Sequence, residues 1–161
     1  MGEVRIIGGQ WKRSKLPVAD APGLRPTPDR VRETLFNWLG QDLSGWHCLD
    51  AFAGSGALGL EAASRGAASV WLVEQDPALA RALSASVQRL GASMVDVRRG
   101  DGVAVLRQAT PATWDLVFLD PPFASDLFIP ALQAARPALK PHGQVYLEAP
   151  QAWSKAALSA L

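Results

Sequence analysis

The chain has 161 residues, 48% of them hydrophobic, and carries a formal net charge of +1. This length is enough for one compact domain with an apolar core and is short for two, so we expect a single domain over residues 1–161. No apolar run approaches the ~20 residues that cross a bilayer, and the N-terminal segment lacks the apolar core of a signal peptide. These features favour a cytoplasmic protein without a membrane partner.

The chain has one cysteine, Cys48, which excludes an intrachain disulfide and agrees with a reducing compartment. Its two histidines, His47 and His142, are far apart in the sequence and form no metal-ligand motif. The sequence therefore predicts no structural or catalytic metal.

The N-terminal region predicts a hairpin followed by a helix. Residues 4–16 alternate loosely between apolar and polar and turn near Gly8-Gly9. After a proline-rich stretch, a helix is expected over about 28–40, with Thr27 as its cap and Gly40 as its end. Its expected apolar face consists of Val31, Leu35, Trp38 and Leu39.

From residue 46 onward, strands and helices alternate. The predicted strands are 46–51, 69–74, 94–98, 114–119 and 143–148, and the predicted helices are 57–65, 77–90, 102–108 and about 125–136. Strands such as Val70–Val73 and Leu116–Leu119 are apolar throughout, which is typical of a parallel sheet covered on both faces. The repeated β-α-β order predicts an α/β fold with a doubly wound, mainly parallel, Rossmann-like sheet.

Ligands of such sheets bind beyond the carboxyl ends of the strands. The turn Asp50–Gly56 follows the first predicted strand, and Gly54–Gly59 also matches the G-x-G-x-x-G pattern of dinucleotide sites. A carboxylate at Asp50 would repel a pyrophosphate, whereas the sulfonium and amino group of S-adenosylmethionine are cationic. Asp50 therefore favours S-adenosylmethionine as the cofactor.

Two more acids follow strands of the predicted sheet. Glu74 is placed to accept hydrogen bonds from ribose hydroxyls in either kind of site, and Asp101 from an adenine amino group. The alternative is that each of them only caps the helix that follows. The candidate cofactor-binding residues are Asp50, Phe52, Ala53, Gly54, Ser55, Gly56, Glu74, Asp101 and Gly102.

The motif Asp120-Pro121-Pro122-Phe123 follows the fourth predicted strand. Its prolines remove two backbone donors and stiffen the turn, which leaves the Pro121 carbonyl available as an acceptor. That carbonyl and the Asp120 carboxylate can bind both hydrogens of an exocyclic amine and so favour attack by its nitrogen. Phe123 can stack on a base that has left its own stack. Asp120, Pro121, Pro122 and Phe123 are the candidate catalytic residues of methyl transfer to an amine, with a strand-to-helix turn as the structural alternative.

Positive charge is concentrated in the first quarter of the chain. Residues 1–40 carry seven Lys and Arg against four Asp and Glu, while residues 41–161 carry nine against eleven. Trp11 lies beside Lys12 and Arg13, and an aromatic ring among cations can stack on a base while they neutralise phosphates. The pattern favours a polyanionic partner, although a solvated basic surface gives the same charge.

Several blocks of the sequence resemble the bacterial 16S ribosomal RNA guanine-N2 methyltransferases. The blocks are Arg5–Gly9 with Trp11-Lys12, Leu24–Thr27 with Asp29–Glu33 and Leu35–Asn37, Leu49–Gly59, and Asp120–Phe123. The resemblance covers nearly the whole chain and implies a class I S-adenosylmethionine-dependent enzyme that methylates N2 of a guanine of the position 966 type. Its implied partner is 16S ribosomal RNA in a partly assembled small-subunit particle.

The same resemblance implies that Arg25, Thr27, Asp29 and Arg32 line the region between cofactor and RNA, with capping and salt bridges of the first helix as the alternative. The candidate RNA-binding residues are Arg5, Trp11, Lys12, Arg13, Lys15, Arg25, Thr27, Arg30 and Arg32.

Two other functions stay open on the sequence alone. An N6-adenine DNA methyltransferase would present the same turn to its target amine, and a non-catalytic RNA-binding assembly factor could retain the cofactor pocket. The family's fold also implies a helix and an antiparallel pair after the fifth strand, whereas residues 154–161 predict only the beginning of that helix. We therefore expect the C-terminal strands to be missing and the fifth strand to be an exposed edge.

Overall fold

The computed structural model describes residues 2–18, 28–120, 124–147 and 152–154. The strands are β1 (Gly2–Arg5), β2 (Lys15–Val18), β3 (His47–Asp50), β4 (Ser69–Glu74), β5 (Val95–Arg99), β6 (Trp114–Leu119), β7 (Leu139–Leu147) and β8 (Ala152–Ser154). The helices are α1 (Asp29–Leu39), α2 (Ala57–Ser64), α3 (Pro77–Leu90), α4 (Gly102–Gln108) and α5 (Ala124–Ala138).

The main sheet has the strand order β5-β4-β3-β6-β7-β8 and is parallel from β5 through β7. The chain first extends the sheet from β3 to β5 and then returns to add β6 and β7 on the other side. The topological switch point therefore lies between β3 and β6, where ligands of doubly wound sheets bind. The predicted doubly wound, mainly parallel α/β fold is confirmed.

Both faces of the sheet are covered, which explains the apolar strands. All six residues of β6 are buried. Leu116 and Phe118 belong to the apolar cluster on one face, and Val117 and Leu119 to the cluster on the other. Successive side chains of a strand point to opposite faces, so a strand between two helical layers is apolar at every position.

The N-terminal residues form the predicted hairpin. Strands β1 and β2 pair antiparallel, and Val4 lies opposite Leu16, with both side chains buried in the cluster that includes Phe36 of α1. Helix α1 begins at Asp29 with Pro28 in the N-cap position and ends at Gly40, which has a φ of +98°. Gly40 thus ends the helix as predicted, and the expected cap Thr27 lies outside the described residues.

The predicted apolar face of α1 was wrong at Trp38, whose side chain is 56% exposed. The buried residues of the helix are Arg32, Leu35, Phe36 and Leu39. They follow the i, i+3, i+4, i+7 spacing of one helical face. The hydrophobic pattern did not predict this face because its first residue, Arg32, is charged.

The expectation that the fifth strand of the parallel sheet is an exposed edge was also wrong. This strand, β7, pairs antiparallel with β8, where Tyr146 lies opposite Ala152 and Gln144 opposite Ser154. Ser154, which was predicted to begin a helix, is in a strand, and residues 155–161 lie outside the described part of the chain. Strand β7 also begins at Leu139 rather than at 143, because Leu139 pairs with Trp114 before a register shift.

In the described part of the chain, no helix has the length and apolar character that a membrane crossing requires.

Candidate functional site

The turn after β3 depends on two glycines. Gly54 has a φ of +56°, and Gly56, the N-cap of α2, has a φ of +84°. Both angles lie in the left-handed region that side chains disfavour. A Cβ on Gly56 would also lie 2.6 Å from Cδ2 of Leu83. The backbone of the turn is therefore built for glycine, which leaves it open to close approach by a ligand.

Glu74, at the end of β4, holds this turn. Its Oε1 accepts a hydrogen bond from the Gly54 backbone N–H at 2.9 Å, and its Oε2 accepts one from the Asp76 N–H at 2.9 Å. Helix α3 is capped by Asp76, whose Oδ1 accepts from the N–H groups of Ala78 and Leu79. Glu74 therefore does not cap α3, and each of its oxygens retains a further lone pair for a ligand.

Asp50 ends β3 in the interior of the protein. Its side chain is buried, and its Oδ1 has no hydrogen-bond partner among the described residues. The pKa of Asp50 is raised to about 7. Burial is the largest cause, the negative charges of Asp120 and Glu74 also raise the pKa, and backbone hydrogen bonds from Phe52 and Gly59 lower it. A buried acid with an unpaired oxygen is suited to a cationic or hydrogen-bond-donating ligand.

The third acidic position lies at the start of α4. Asp101 is the N-cap of that helix, and its Oδ1 accepts a hydrogen bond from the Val103 N–H at 3.1 Å. The capping alternative thus describes Asp101, whose second oxygen is still able to accept. A Cβ on Gly102 would lie 2.0 Å from the Ala51 carbonyl oxygen, so α4 packs directly on the turn after β3.

Asp120 follows β6 on the other side of the switch point. Phe118, two residues earlier, is the register partner of Asp50 in the neighbouring strand. Because the two strands are parallel, Asp50 and Asp120 belong to the same carboxyl edge, and their charges interact. Asp120 is partly exposed. The other three members of its motif, Pro121, Pro122 and Phe123, lie outside the described residues.

The hairpin displays an exposed basic surface. Arg5, Lys12, Arg13 and Lys15 are exposed, and no described acid forms a salt bridge with any of them. Arg5 and Lys15 are directly opposite each other in the β1–β2 register. Like charges directly opposite each other on paired strands repel.

The remaining predicted RNA-binding residues have different environments. Trp11 is half-buried against the core, and Arg30 is exposed on the first turn of α1. Arg25 and Thr27 lie outside the described residues. The candidate surface for RNA therefore comprises the exposed cations of the hairpin and Arg30.

Arg32 requires a correction. Its side chain is wholly buried, Nη1 lies 2.8 Å from the Arg5 carbonyl oxygen and 3.1 Å from Oε1 of Glu61, and Nη2 pairs with Asp29. A guanidinium enclosed in this way is not available to an RNA phosphate. Arg32 therefore has the structural role that the sequence analysis gave as the alternative, namely salt bridges of the first helix, and Asp29 is one of its partners.

The sequence pattern missed the partner of Arg32. Glu61 is a wholly buried acid in α2, and all eight residues of that helix are buried. A lone charge in an otherwise small and apolar helix was the available signal, because a buried charge requires partners. Among the described residues no group of three or more His, Cys, Asp or Glu is arranged to hold a metal ion.

A family model described as conserved hypothetical protein 95 matches residues 4–159. The ribosomal RNA small subunit methyltransferase D of Escherichia coli strain K12 is 53% identical over 127 residues, which are 78% of this chain. This chain belongs to their family. The corresponding protein of Haemophilus influenzae is 45% identical over 152 residues, 91% of this chain and 79% of its own length.

The fold agrees with the family. The solved structure of the Escherichia coli protein yhhF superposes with a TM-score of 0.82 at 41% identity, and the match covers 91% of this chain and 80% of that one. The chain spans 63% of the length of the Escherichia coli strain K12 methyltransferase.

Proposed function

We propose that the chain is an S-adenosylmethionine-dependent methyltransferase that acts on the exocyclic N2 of a guanine in small-subunit 16S ribosomal RNA. The observation that carries the proposal is the pair of acids at the switch point. Buried Asp50 and partly exposed Asp120 stand on the two sides of the crevice, and the glycine turn lies next to them. Membership in a family that contains named ribosomal RNA methyltransferases supports the proposal.

The residues around the glycine turn fit a cationic nucleoside. The unpaired Oδ1 of Asp50 is a buried acceptor for a cofactor amino group, and Gly54 and Gly56 leave the backbone open beside it. A dinucleotide would instead bring a pyrophosphate to this acid, and the two charges would repel each other. Glu74 would accept from the ribose hydroxyls, and Asp101 from the adenine amino group. S-adenosylmethionine, when bound, would supply a methyl group on a cationic sulfur, which is a good leaving group.

Asp120 is assigned to the methyl acceptor. Its carboxylate would accept a hydrogen bond from the exocyclic amine and so favour the pyramidal nitrogen that attacks the methyl carbon. Stabilisation of this kind is worth about 2.7–4 kcal/mol for each positioned group. We assign the second acceptor to the Pro121 carbonyl and the stacking surface to Phe123, as the sequence predicts. The transfer would be a direct displacement without a covalent intermediate on the protein. The bond from nitrogen to the methyl carbon would form as the bond from carbon to sulfur breaks, S-adenosylhomocysteine would leave, and the methylated amine would lose one proton to solvent.

The hairpin cations supply the contact with the RNA backbone. Arg5, Lys12, Arg13 and Lys15 form a surface without acidic partners among the described residues, which is what phosphate contacts require. The family resemblance implies that the target guanine is of the position 966 type and that the substrate is a small-subunit particle. With a ribosomal substrate, we infer that the protein acts in the cytoplasm.

The test is transfer of labelled methyl from S-adenosylmethionine to RNA and to DNA. We expect label in RNA only, and we expect calorimetry to show binding of S-adenosylmethionine but not of NAD. Label in DNA alone would indicate the adenine methyltransferase, and cofactor binding without transfer to either would indicate an assembly factor.

A further inference from the structure

A buried ionic cluster connects the hairpin to the helix that follows the glycine turn. Glu61 Oε1 accepts the Ile7 N–H at 2.9 Å and Arg32 Nη1 at 3.1 Å. Its Oε2 accepts the Gly8 N–H at 2.9 Å and Arg65 Nε at 2.9 Å. A carboxylate has about four lone-pair sites, so these four donors fill it. Half of its bonds go to the backbone of the hairpin loop.

The next residues of the loop lie on the last turn of α2. Gln10 N–H donates to the Ser64 carbonyl oxygen at 2.8 Å, and Trp11 N–H donates to Ser64 Oγ at 3.0 Å. The Ser64 hydroxyl donates to the Gly8 carbonyl oxygen at 2.6 Å. A Cβ on Gly9 would lie 1.9 Å from the Ser64 carbonyl oxygen, so the contact is close enough to require glycine. The loop that carries Lys12 and Arg13 is therefore fixed to the C-terminal end of α2.

The N-terminal end of α2 is the cofactor turn itself, because Ala57 follows Gly56 directly. One helix of eight residues, about 12 Å long, thus separates the glycine turn from the basic loop. Its position on the sheet is also fixed, because a Cβ on Gly59 would lie 2.2 Å from Cδ2 of Leu72. A short, wholly buried helix in this position is a rigid spacer.

The geometry points to Glu61 as a positioning residue for RNA. Glu61 fixes the distance between the methyl-transfer site and the hairpin loop that carries Lys12 and Arg13. This inference rests on the proposed function. Buried ion pairs contribute little net stability relative to apolar packing, and in some proteins they instead fix one arrangement of the groups that they join. We assign that second role to Glu61. Among the described residues, Glu61 bonds to the Ile7 and Gly8 backbone and to the side chains of Arg32 and Arg65. It therefore acts on the RNA surface through these groups.

The test is Glu61→Gln, which keeps the side-chain shape but turns one acceptor oxygen into a donor that faces other donors. We expect KM for small-subunit RNA to rise about tenfold, while kcat and the Kd for S-adenosylmethionine change less than about twofold. Amide hydrogen exchange should become faster in a peptide that covers residues 6–14 and stay unchanged over 47–56. The control is Glu33→Gln, an exposed acid of α1, which should leave all four measurements unchanged.

A second variant, Ser64→Ala, keeps the inference testable if Glu61→Gln does not fold. It removes the two hydroxyl bonds to the loop and should raise KM for RNA in the same direction by a smaller factor. An unchanged KM in a folded Glu61→Gln protein, or equal losses of RNA and cofactor affinity in both variants, would overturn the positioning role alone. Absence of methyl transfer by the wild-type chain would overturn the proposed function and this inference together.

Discussion

Glu74 Oε1 accepts a hydrogen bond from the Gly54 N–H at 2.9 Å, across twenty residues of sequence. The bond joins the end of β4 to the turn after β3, and the other oxygen of the same carboxylate holds the start of α3 through Asp76. The acid expected to bind ribose is thus also the group that fixes the glycine turn. Replacing Glu74 should therefore remove a proposed contact with the ribose and also loosen the glycine turn.

We expect Glu74→Gln to weaken binding of S-adenosylmethionine by about 10- to 150-fold, because a charged hydrogen bond is worth about 1.5–3 kcal/mol. Isothermal titration calorimetry measures the change. The control is Asp96→Asn on the neighbouring strand β5, where the acid forms an exposed pair with Arg98. Equal affinities of the Glu74→Gln and wild-type proteins would remove Glu74 from the cofactor site.

The pKa of Asp50 predicts that cofactor affinity depends on pH. Its pKa of about 7 means that the acid is mostly protonated below pH 7 and ionised above it. A cationic ligand favours the ionised form, so affinity for S-adenosylmethionine should rise with pH through 7, with proton release on binding below that pH. Calorimetry in buffers of different ionisation enthalpy measures this release. Asp50→Asn should abolish it, and a flat pH profile in the wild type would contradict the role.

The same pKa predicts the pH dependence of folding. The folded protein holds the Asp50 proton more tightly than the unfolded chain, whose acid has an ordinary pKa. The contribution of protonated Asp50 to the free energy of unfolding is therefore complete below about pH 4 and is lost as pH rises through 7. Asn does not titrate, so Asp50→Asn should remove this pH-dependent contribution. Urea unfolding should then show a smaller loss of stability between pH 5 and pH 8 in the variant than in the wild type.

The two switch-point acids should separate in kinetics. Asp120→Ala should lower the methyl-transfer rate by roughly 10²–10³ with little change in cofactor affinity, because it removes a contact made to the attacking amine. Asp50→Ala should mainly weaken cofactor binding. Single-turnover rates and calorimetry on both variants distinguish them. If Asp120→Ala loses the cofactor as severely as Asp50→Ala, or turns over at the wild-type rate, the assignment of Asp120 fails.

The basic hairpin should determine the salt dependence of RNA binding. Replacing Lys12, Arg13 and Lys15 by alanine should weaken RNA binding and reduce the slope of log K against log salt by up to ~2, or about 0.7 for each lost phosphate contact. Fluorescence anisotropy with labelled RNA gives the slope. Alanine at Arg81 and Arg107, two exposed cations of α3 and α4, is the control. An unchanged slope in the triple variant would place the RNA surface elsewhere.

Gly102 offers a stability test with a matched neighbour. Its Cβ would meet the Ala51 carbonyl oxygen at 2.0 Å, whereas a Cβ on Gly100 would have nothing within 4 Å. Gly102→Ala should therefore destabilise the protein by about 1–3 kcal/mol and weaken cofactor binding, because backbone must move. Gly100→Ala should be close to neutral in urea unfolding. Similar stabilities of the two variants would contradict the packing of α4 on the turn.

The parallel sheet was predictable because strands such as β6 are apolar on both faces and because strands and helices alternate from β3 to β7. The placement of Asp50, Glu74, Asp101 and Asp120 at one edge of the sheet was predictable because parallel strands bring their carboxyl ends together there.

The contacts between elements were not predictable in this way. Arg32 was assigned to RNA because it belongs to the basic first quarter of the chain and because the family resemblance implied that role. Only the fold shows that it is buried in an ion pair with Glu61. Strand β8 was missed because three residues carry too little periodicity to distinguish a short strand from the start of a helix.

Methylation of guanine N2 is tested most directly by nucleoside analysis of small-subunit particles that lack the methyl group, after reaction with the chain and labelled S-adenosylmethionine. We expect the label to be recovered as N2-methylguanosine from a single site of the 16S RNA, and we expect Asp120→Ala to abolish most of it. Label recovered only as N6-methyladenine, or no label in RNA while the cofactor binds, would contradict it.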